Sequence, residues 1–155
     1  MSESANNKTV NDLILSDALR RQIEVEGVAA YPNECCGMLI GRDITGNGAT
    51  RRVVERLEPG RNVFEKEEQY HRFSIDPAQQ LKAEKAAEQE GKLVLGYYHS
   101  HPDHPARPSE YDRQHAWPFY SYVIVAIEKG KPAAMTSWVL DDVTETFGEQ
   151  KIVIV

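Results

Sequence analysis

The feature that most constrains this chain is an apolar strand that ends in two histidines and a proline. Residues 92–98, Lys-Leu-Val-Leu-Gly-Tyr-Tyr, read as a buried strand. His99-Ser100-His101-Pro102 follow directly. Side chains alternate along a strand, so His99 and His101 share one face and Ser100 takes the other. Pro102 has no N–H to give a ladder and stops the pairing there. Two imidazoles on one face at a strand mouth make half of a zinc site. Asp112, three residues beyond Ser109, offers a carboxylate as a third ligand. Catalytic zinc takes three protein ligands and keeps a fourth position open.

Around that strand the chain alternates helices and strands. Ser16 can cap a helix running to about Ala30, which Tyr31-Pro32-Asn33 breaks. Residues 35–41 read as a central strand, Gly46-Asn47-Gly48 as a turn, and 51–57 as the return strand of a hairpin. Residues 59–69 are charged and aperiodic and read as a loop. Residues 70–75 alternate moderately and are expected as a strand. Asp76-Pro77 starts a second helix, which Gly91 stops. A short helix is expected from Ser109 to about Trp117. Residues 121–127 and 133–140 read as paired strands, with edge strands at 145–147 and 151–155. This order fits an α/β (α+β) sandwich, a mixed β-sheet flanked by two longer helices.

The length of 155 residues suits one domain, expected over 12–155 behind a flexible N-terminus, 1–11. The formal net charge of -6 argues against a general affinity for nucleic acid. No apolar run is long enough to span a membrane, and the polar start lacks the apolar core of a signal segment. A cytoplasmic protein is expected. Cys35 and Cys36 are the two cysteines. Neighbours on an extended chain point apart, so these two are read as small buried strand residues rather than a disulfide.

Each candidate site residue also has a plain structural reading. Asp112 is the fourth residue of a Ser-x-x-Asp box and could simply cap a helix. A carboxylate has two oxygens, so one could face zinc while the other takes a backbone N–H. Ser109 could be the cap alone, or it could also donate its hydroxyl proton to an oxyanion. His104 and His115 are possible substitute ligands or substrate contacts, whereas His71 reads as a surface or sheet residue. A hydrolase also needs a general base. Glu34, just before the strand at 35–41, is the best-placed carboxylate, although most glutamates are solvated surface groups.

Taken together, these residues resemble the JAMM, or MPN+, metalloprotease signature: an upstream glutamate, His-x-His-Pro, a spacer and Ser-x-x-Asp. Glu34, His99-Ser100-His101-Pro102 and Ser109-Glu110-Tyr111-Asp112 match it, with six residues between Pro102 and Ser109. The resemblance covers roughly Leu15 to Leu140. It implies the JAMM/MPN (cytidine deaminase-like) sandwich and one catalytic zinc ion held by His99, His101 and Asp112. It further implies that Glu34 relays a proton from water to the leaving amine and that Ser109 stabilises the oxyanion. The implied reaction is hydrolysis of a peptide or isopeptide bond after the C-terminal Gly-Gly of a ubiquitin-like protein. The chain's length is similar to that of small standalone members acting on sulfur carriers, so a sulfur carrier is the expected partner. A noncatalytic scaffold for ubiquitin-like partners and a zinc hydrolase of a small amide are the alternatives.

Overall fold

The computed structural model describes residues 11–155, so the expected flexible segment, apart from Asn11, lies outside the described residues. The strands are β1 (Leu13–Leu15), β2 (Cys36–Gly46), β3 (Ala49–Gly60), β4 (Leu93–Pro102), β5 (Ser121–Glu128), β6 (Lys131–Leu140), β7 (Phe147–Gln150) and β8 (Ile152–Ile154). The helices are α1 (Asp17–Ala30), α2 (Pro77–Gln89) and α3 (Glu110–Gln114). The strands form one mixed sheet in the order β7-β6-β5-β4-β2-β3-β1-β8. The pairs β4–β5, β1–β3 and β1–β8 are parallel, and the remaining pairs are antiparallel.

Both faces of the sheet are covered. One face packs Leu39, Leu57, Leu95, Tyr98, Val123 and Ile127 against Leu19 and Ile23 of α1. The other packs Met38, Ile40, Val94 and Tyr97 against Ala83 and Ala87 of α2. Cys35 joins the first cluster and Cys36 the second, so the two thiols are buried on opposite faces, as expected of extended neighbours. Ser16 caps α1 by accepting from the Leu19 N–H at 3.1 Å. Asp76 caps α2 by accepting from the Ala78 N–H at 3.0 Å, with Pro77 in the first turn.

Asn47 and Gly48 form the two-residue turn between β2 and β3, with φ of 53° and 75°. Asn-Gly tolerates those positive angles at little cost, which fixes the hairpin register. A bulge in β4 then decides where the histidines face. Cys36, Gly37, Met38 and Leu39 pair with His99, Tyr98, Tyr97 and Gly96, but Ile40 pairs with Val94, leaving Leu95 as an extra residue. Without that insertion the side-chain alternation would turn His99 and His101 towards α1. With it, they share the α2 face with Tyr97, while Ser100 lies on the α1 face beside Gly27.

Several sequence expectations change, among them the edge strand expected at 145–147, which starts only at Phe147 as β7. Residues 70–75 form no strand; the only pairing there is a single bridge from Ile75 to Asn62. The Asn62 side chain replaces a ladder, accepting from Phe64 N–H and Ser74 N–H and donating to the carbonyls of Glu34 and Arg72. The region expected as a loop from 59 contributes Pro59 and Gly60 to β3 and a 3-10 turn at Lys66–Glu68. The helix after Ser109 ends at Gln114. Leu13–Leu15, unassigned from sequence, is a strand between β3 and β8. A single residue, Lys151, separates β7 from β8, which pair at opposite ends of the strand order. One short segment therefore supplies both edge strands and draws the two ends of the sheet together. Asn11 joins that seam, its carbonyl accepting from Gln150 Nε2 at 2.6 Å.

Candidate metal centre and active site

His99 and His101 sit at the C-terminal end of β4, 1% and 6% exposed. Asp112 comes from α3, which the Ser109 cap orients. Ser109 Oγ accepts from Asp112 N–H at 3.0 Å, and Asp112 Oδ2 accepts from Ser109 N–H at 2.9 Å. This is a complete capping box with aspartate in the place of glutamate. The same Oδ2 faces both imidazoles, 3.3 Å from His99 Nε2 and 3.2 Å from His101 Nε2. The expected division, one oxygen for a metal and the other for the backbone, is thus corrected: a single oxygen has both neighbours.

The two Nε2 atoms lie 3.1 Å apart. Three ligand atoms on a tetrahedral zinc, each bonded at about 2.0–2.1 Å, stand about 3.3 Å from one another. The observed spacings of 3.1, 3.2 and 3.3 Å describe such a face. The tautomers also fit. His101 Nδ1–H donates to the Pro105 carbonyl at 2.9 Å, which leaves the Nε2 lone pair turned to the common centre. Phe73 stacks on His99 at 4.6 Å and fixes its ring plane. Burial pushes the His99 pKa down, favouring the neutral ring, against the pull of Asp112. Burial opposes the charge of Asp112, but the two histidines and Ser109 N–H outweigh it and hold the carboxyl well below its usual range. Two imidazole nitrogens and a carboxylate oxygen are a donor set a divalent metal takes. Among the described residues, His99, His101 and Asp112 form a group able to hold one ion.

Glu34 precedes β2, and the pairing of Cys36 with His99, continued along the ladder, brings it opposite His101. Ser100 extends that ladder: its Oγ accepts from Cys35 N–H at 2.8 Å. The loop from the other side holds both backbone groups of Glu34. Its N–H donates to the Gln69 carbonyl at 2.8 Å, and its carbonyl accepts from Asn62 Nδ2 at 3.3 Å. The side chain is 5% exposed, and Oε1 has no hydrogen-bond partner among the described residues. Burial, reinforced by the charge of Asp112, pushes its pKa up to about 9. Glu34, His101 and Ser109 line one cleft of about 580 Å³. The Ser109 hydroxyl is exposed, and no acceptor among the described residues engages its proton.

The remaining expectations divide. Burial pushes the Cys35 thiol up to about 11 and the Cys36 thiol up to about 12, which suits packing rather than metal binding or nucleophilic attack. His104 lines the cleft but is not among the three clustered ligands. His115 points elsewhere, donating from Nδ1 to the Tyr111 carbonyl at 2.8 Å and stacking on the Tyr111 ring. His71 belongs to no strand; it pairs with Glu68 at 2.8 Å on the cleft wall. Sequence reasoning missed Asn62, Gln69 and Phe73. Polar loop residues carry no periodic signal, and nothing along the chain marks Phe73 as the neighbour of His99.

Comparisons with known proteins place the whole chain rather than the site. A family model for prokaryotic homologs of the JAB domain matches residues 16–141. A desampylase of Haloferax volcanii is 36% identical over 101 residues, 64% of this chain and 67% of that protein. A "probable TtuB-protein conjugate cleaving protease" of Thermus thermophilus is 44% identical over 79 residues, 51% of this chain. The match spans only about half the length of that relative, 52%. A solution structure of a Desulfitobacterium hafniense protein superposes with a TM-score of 0.77 at 33% identity, covering 92% of each chain. With most of its length matched by that family model, the chain belongs to the prokaryotic JAB-domain family.

Proposed function

We propose that the protein is a zinc-dependent peptidase that hydrolyses the bond after the C-terminal Gly-Gly of a ubiquitin-like sulfur carrier. One observation carries the reading: three mutually facing donor atoms lie 3.1–3.3 Å apart, and one of their residues, His101, lines the same cleft as Glu34 and Ser109. His99, His101 and Asp112 would hold the ion, and the chemistry zinc supplies there is Lewis acidity toward a water and the scissile carbonyl. Glu34 accepts the proton of the attacking water. Without an ion, burial holds Glu34 in its protonated form; a cation bound beside it would favour the carboxylate and so free Glu34 to take that proton and return it to the leaving amine. Ser109 donates its free hydroxyl proton to the oxygen that gains charge on the carbonyl. The narrow residues of a Gly-Gly tail suit approach to a buried site in extended form. The relatives named as a desampylase and as a conjugate-cleaving protease support a protein substrate over a small amide.

The test is incubation with ubiquitin-like carriers extended beyond Gly-Gly, with and without a chelator, read by intact mass. The expected product ends at the second glycine and disappears with the chelator. Carriers left intact, or cleavage indifferent to the chelator, would overturn the reading.

A further inference from the structure

Next to Glu34 and His101 the chain loses its usual means of holding two strands together. The β2–β4 register pairs Cys36 with His99. Its continuation sets Cys35 beside Ser100, Glu34 beside His101, Asn33 beside Pro102 and Pro32 beside Asp103. The first of these steps is bonded. Ser100 N–H donates to the Cys35 carbonyl at 3.3 Å, and Ser100 Oγ accepts from Cys35 N–H at 2.8 Å. Beyond Glu34 the backbone donors are absent or engaged elsewhere. Pro32 and Pro102 have no N–H to give. Asn33 N–H donates to the Ala30 carbonyl at 2.8 Å, and Asp103 N–H to the Ile127 carbonyl at 2.7 Å.

A side-chain bond stands where the next rung would be. The Tyr31 hydroxyl donates to Asp103 Oδ2 at 2.6 Å, a short, charge-assisted contact. Both of its ends are fixed. The Tyr31 ring packs against the core cluster on the α1 face, and its N–H donates to the Gly27 carbonyl at 3.1 Å. Asp103 has a φ of 58°, a left-handed conformation that aspartate tolerates better than most residues. Its Oδ1 accepts from Lys129 N–H at 2.8 Å. One carboxylate therefore joins the end of α1, the end of β4 and the turn between β5 and β6. The Glu34 segment lies between two ties to β4, Cys35–Ser100 on one side and Tyr31–Asp103 on the other.

We propose that Tyr31 and Asp103 are positioning residues for Glu34, their hydrogen bond holding its segment opposite His101. The inference rests on the proposed role of Glu34 as the base. Oε1 of Glu34 has no hydrogen-bond partner among the described residues, so its place depends on how its backbone is held. Gln69 and Asn62 hold that backbone from the loop side. The Tyr31 hydroxyl holds it from the β4 side.

The test compares wild type, Tyr31→Phe and Asp103→Asn. Phenylalanine keeps the ring and removes only the hydroxyl. Asparagine keeps an acceptor for Lys129 N–H and can donate from Nδ2 to the Tyr31 oxygen. The first readout is amide hydrogen exchange by NMR in the metal-free protein. Tyr31→Phe should quicken exchange at Glu34 and Cys35 about tenfold, the scale of one hydrogen bond to a charged group. Val123, in the middle of the sheet, should not change, and Asp103→Asn should match wild type. The second readout is turnover of a carrier extended beyond Gly-Gly by the metal-loaded protein. Tyr31→Phe should lower kcat about tenfold with KM and metal content unchanged, and Asp103→Asn should stay near wild type. Unchanged exchange at Glu34 and Cys35, or an equal rise at Val123, overturns the positioning role. So does quickened exchange with kcat unchanged, or a loss in Asp103→Asn as large as in Tyr31→Phe. If exchange responds as expected but wild type cleaves no carrier, the proposed hydrolysis falls and the hold on Glu34 stands.

Discussion

The two halves of the proposed site, its metal ligands and its base, are built by different means. The ligand half stands on regular structure. β4 is paired on both sides as far as His99, its last nine residues are buried, and the capping box of α3 places Asp112. The base half stands on side chains. Glu34 lies outside any strand, and its backbone is held by Gln69 and by Asn62 from an irregular loop. Ladder bonds repeat and support one another, so losing one leaves the register in place. A side-chain hub has no such redundancy, because one amide here serves four backbone partners. The ligand half should therefore fail in metal content, and the base half in turnover and local stability.

The largest effect is expected on the ligand half. His101→Ala removes one of three donor atoms and the bond to Pro105 that orients it. Elemental analysis should find metal lost, with activity down by about 10⁴-fold or more, as removal of a catalytic group typically costs. Metal retained in full would break the assignment of that half.

Glu34→Gln should act in the opposite sense, keeping metal and losing about 10²–10⁴-fold in turnover as a missing general base does. It also has a signature in the metal-free protein. The carboxyl titrates near 4.5 in the unfolded chain and near 9 when folded. A raised folded pKa gives a contribution that is complete below pH 4.5 and is lost as the pH rises toward 9. In chelator, wild type should lose about 2–4 kcal/mol between pH 5 and 8 relative to Glu34→Gln. Denaturant melts of both at the two pH values measure it. Parallel pH profiles would show that Glu34 is not held in its buried, protonated form.

Ser109→Ala falls at the junction of the halves. Its main-chain N–H to Asp112 Oδ2 survives the change, so metal should stay bound. The lost cap costs about 0.5–2 kcal/mol of stability. Loss of the hydroxyl donor should slow turnover by about 10²-fold, as for other oxyanion donors. A fall in turnover no larger than the stability loss accounts for would reduce Ser109 to a cap.

The same division decides what the sequence reveals. The shared face of His99 and His101 and the Ser109–Asp112 cap were legible because strand alternation and capping are local rules with fixed periods. The hairpin at Asn47-Gly48, both longer helices and the opposed cysteines were legible for the same reason. The bulge at Leu95 was not, since a continuous apolar run hides an inserted residue, yet it decides which helix the histidines face. Nor was the closing of the sheet by β7 and β8, a property of register between distant strands. Glu34 was selected by resemblance to a signature, because nothing in its neighbours marks a buried carboxylate. Residues 70–75 misled for the complementary reason: their alternation is real, but Asn62 takes the backbone groups that a partner strand would have used.

Asn62 gives the sharpest comparison at the smallest cost. Asn62→Ala removes four hydrogen bonds at once, for about 1–3 kcal/mol, and frees the Glu34 carbonyl. Turnover should fall about tenfold, the scale expected when a catalytic group is displaced rather than removed, with metal content unchanged. Asn62→Asp separates the two roles. It keeps an acceptor for Phe64 and Ser74 N–H but has no N–H for the carbonyls of Glu34 and Arg72. Stability should recover in part while turnover stays low. If the aspartate restores both together, the loop supports Glu34 only by its shape, and the base half is no more dependent on single bonds than the strand it faces.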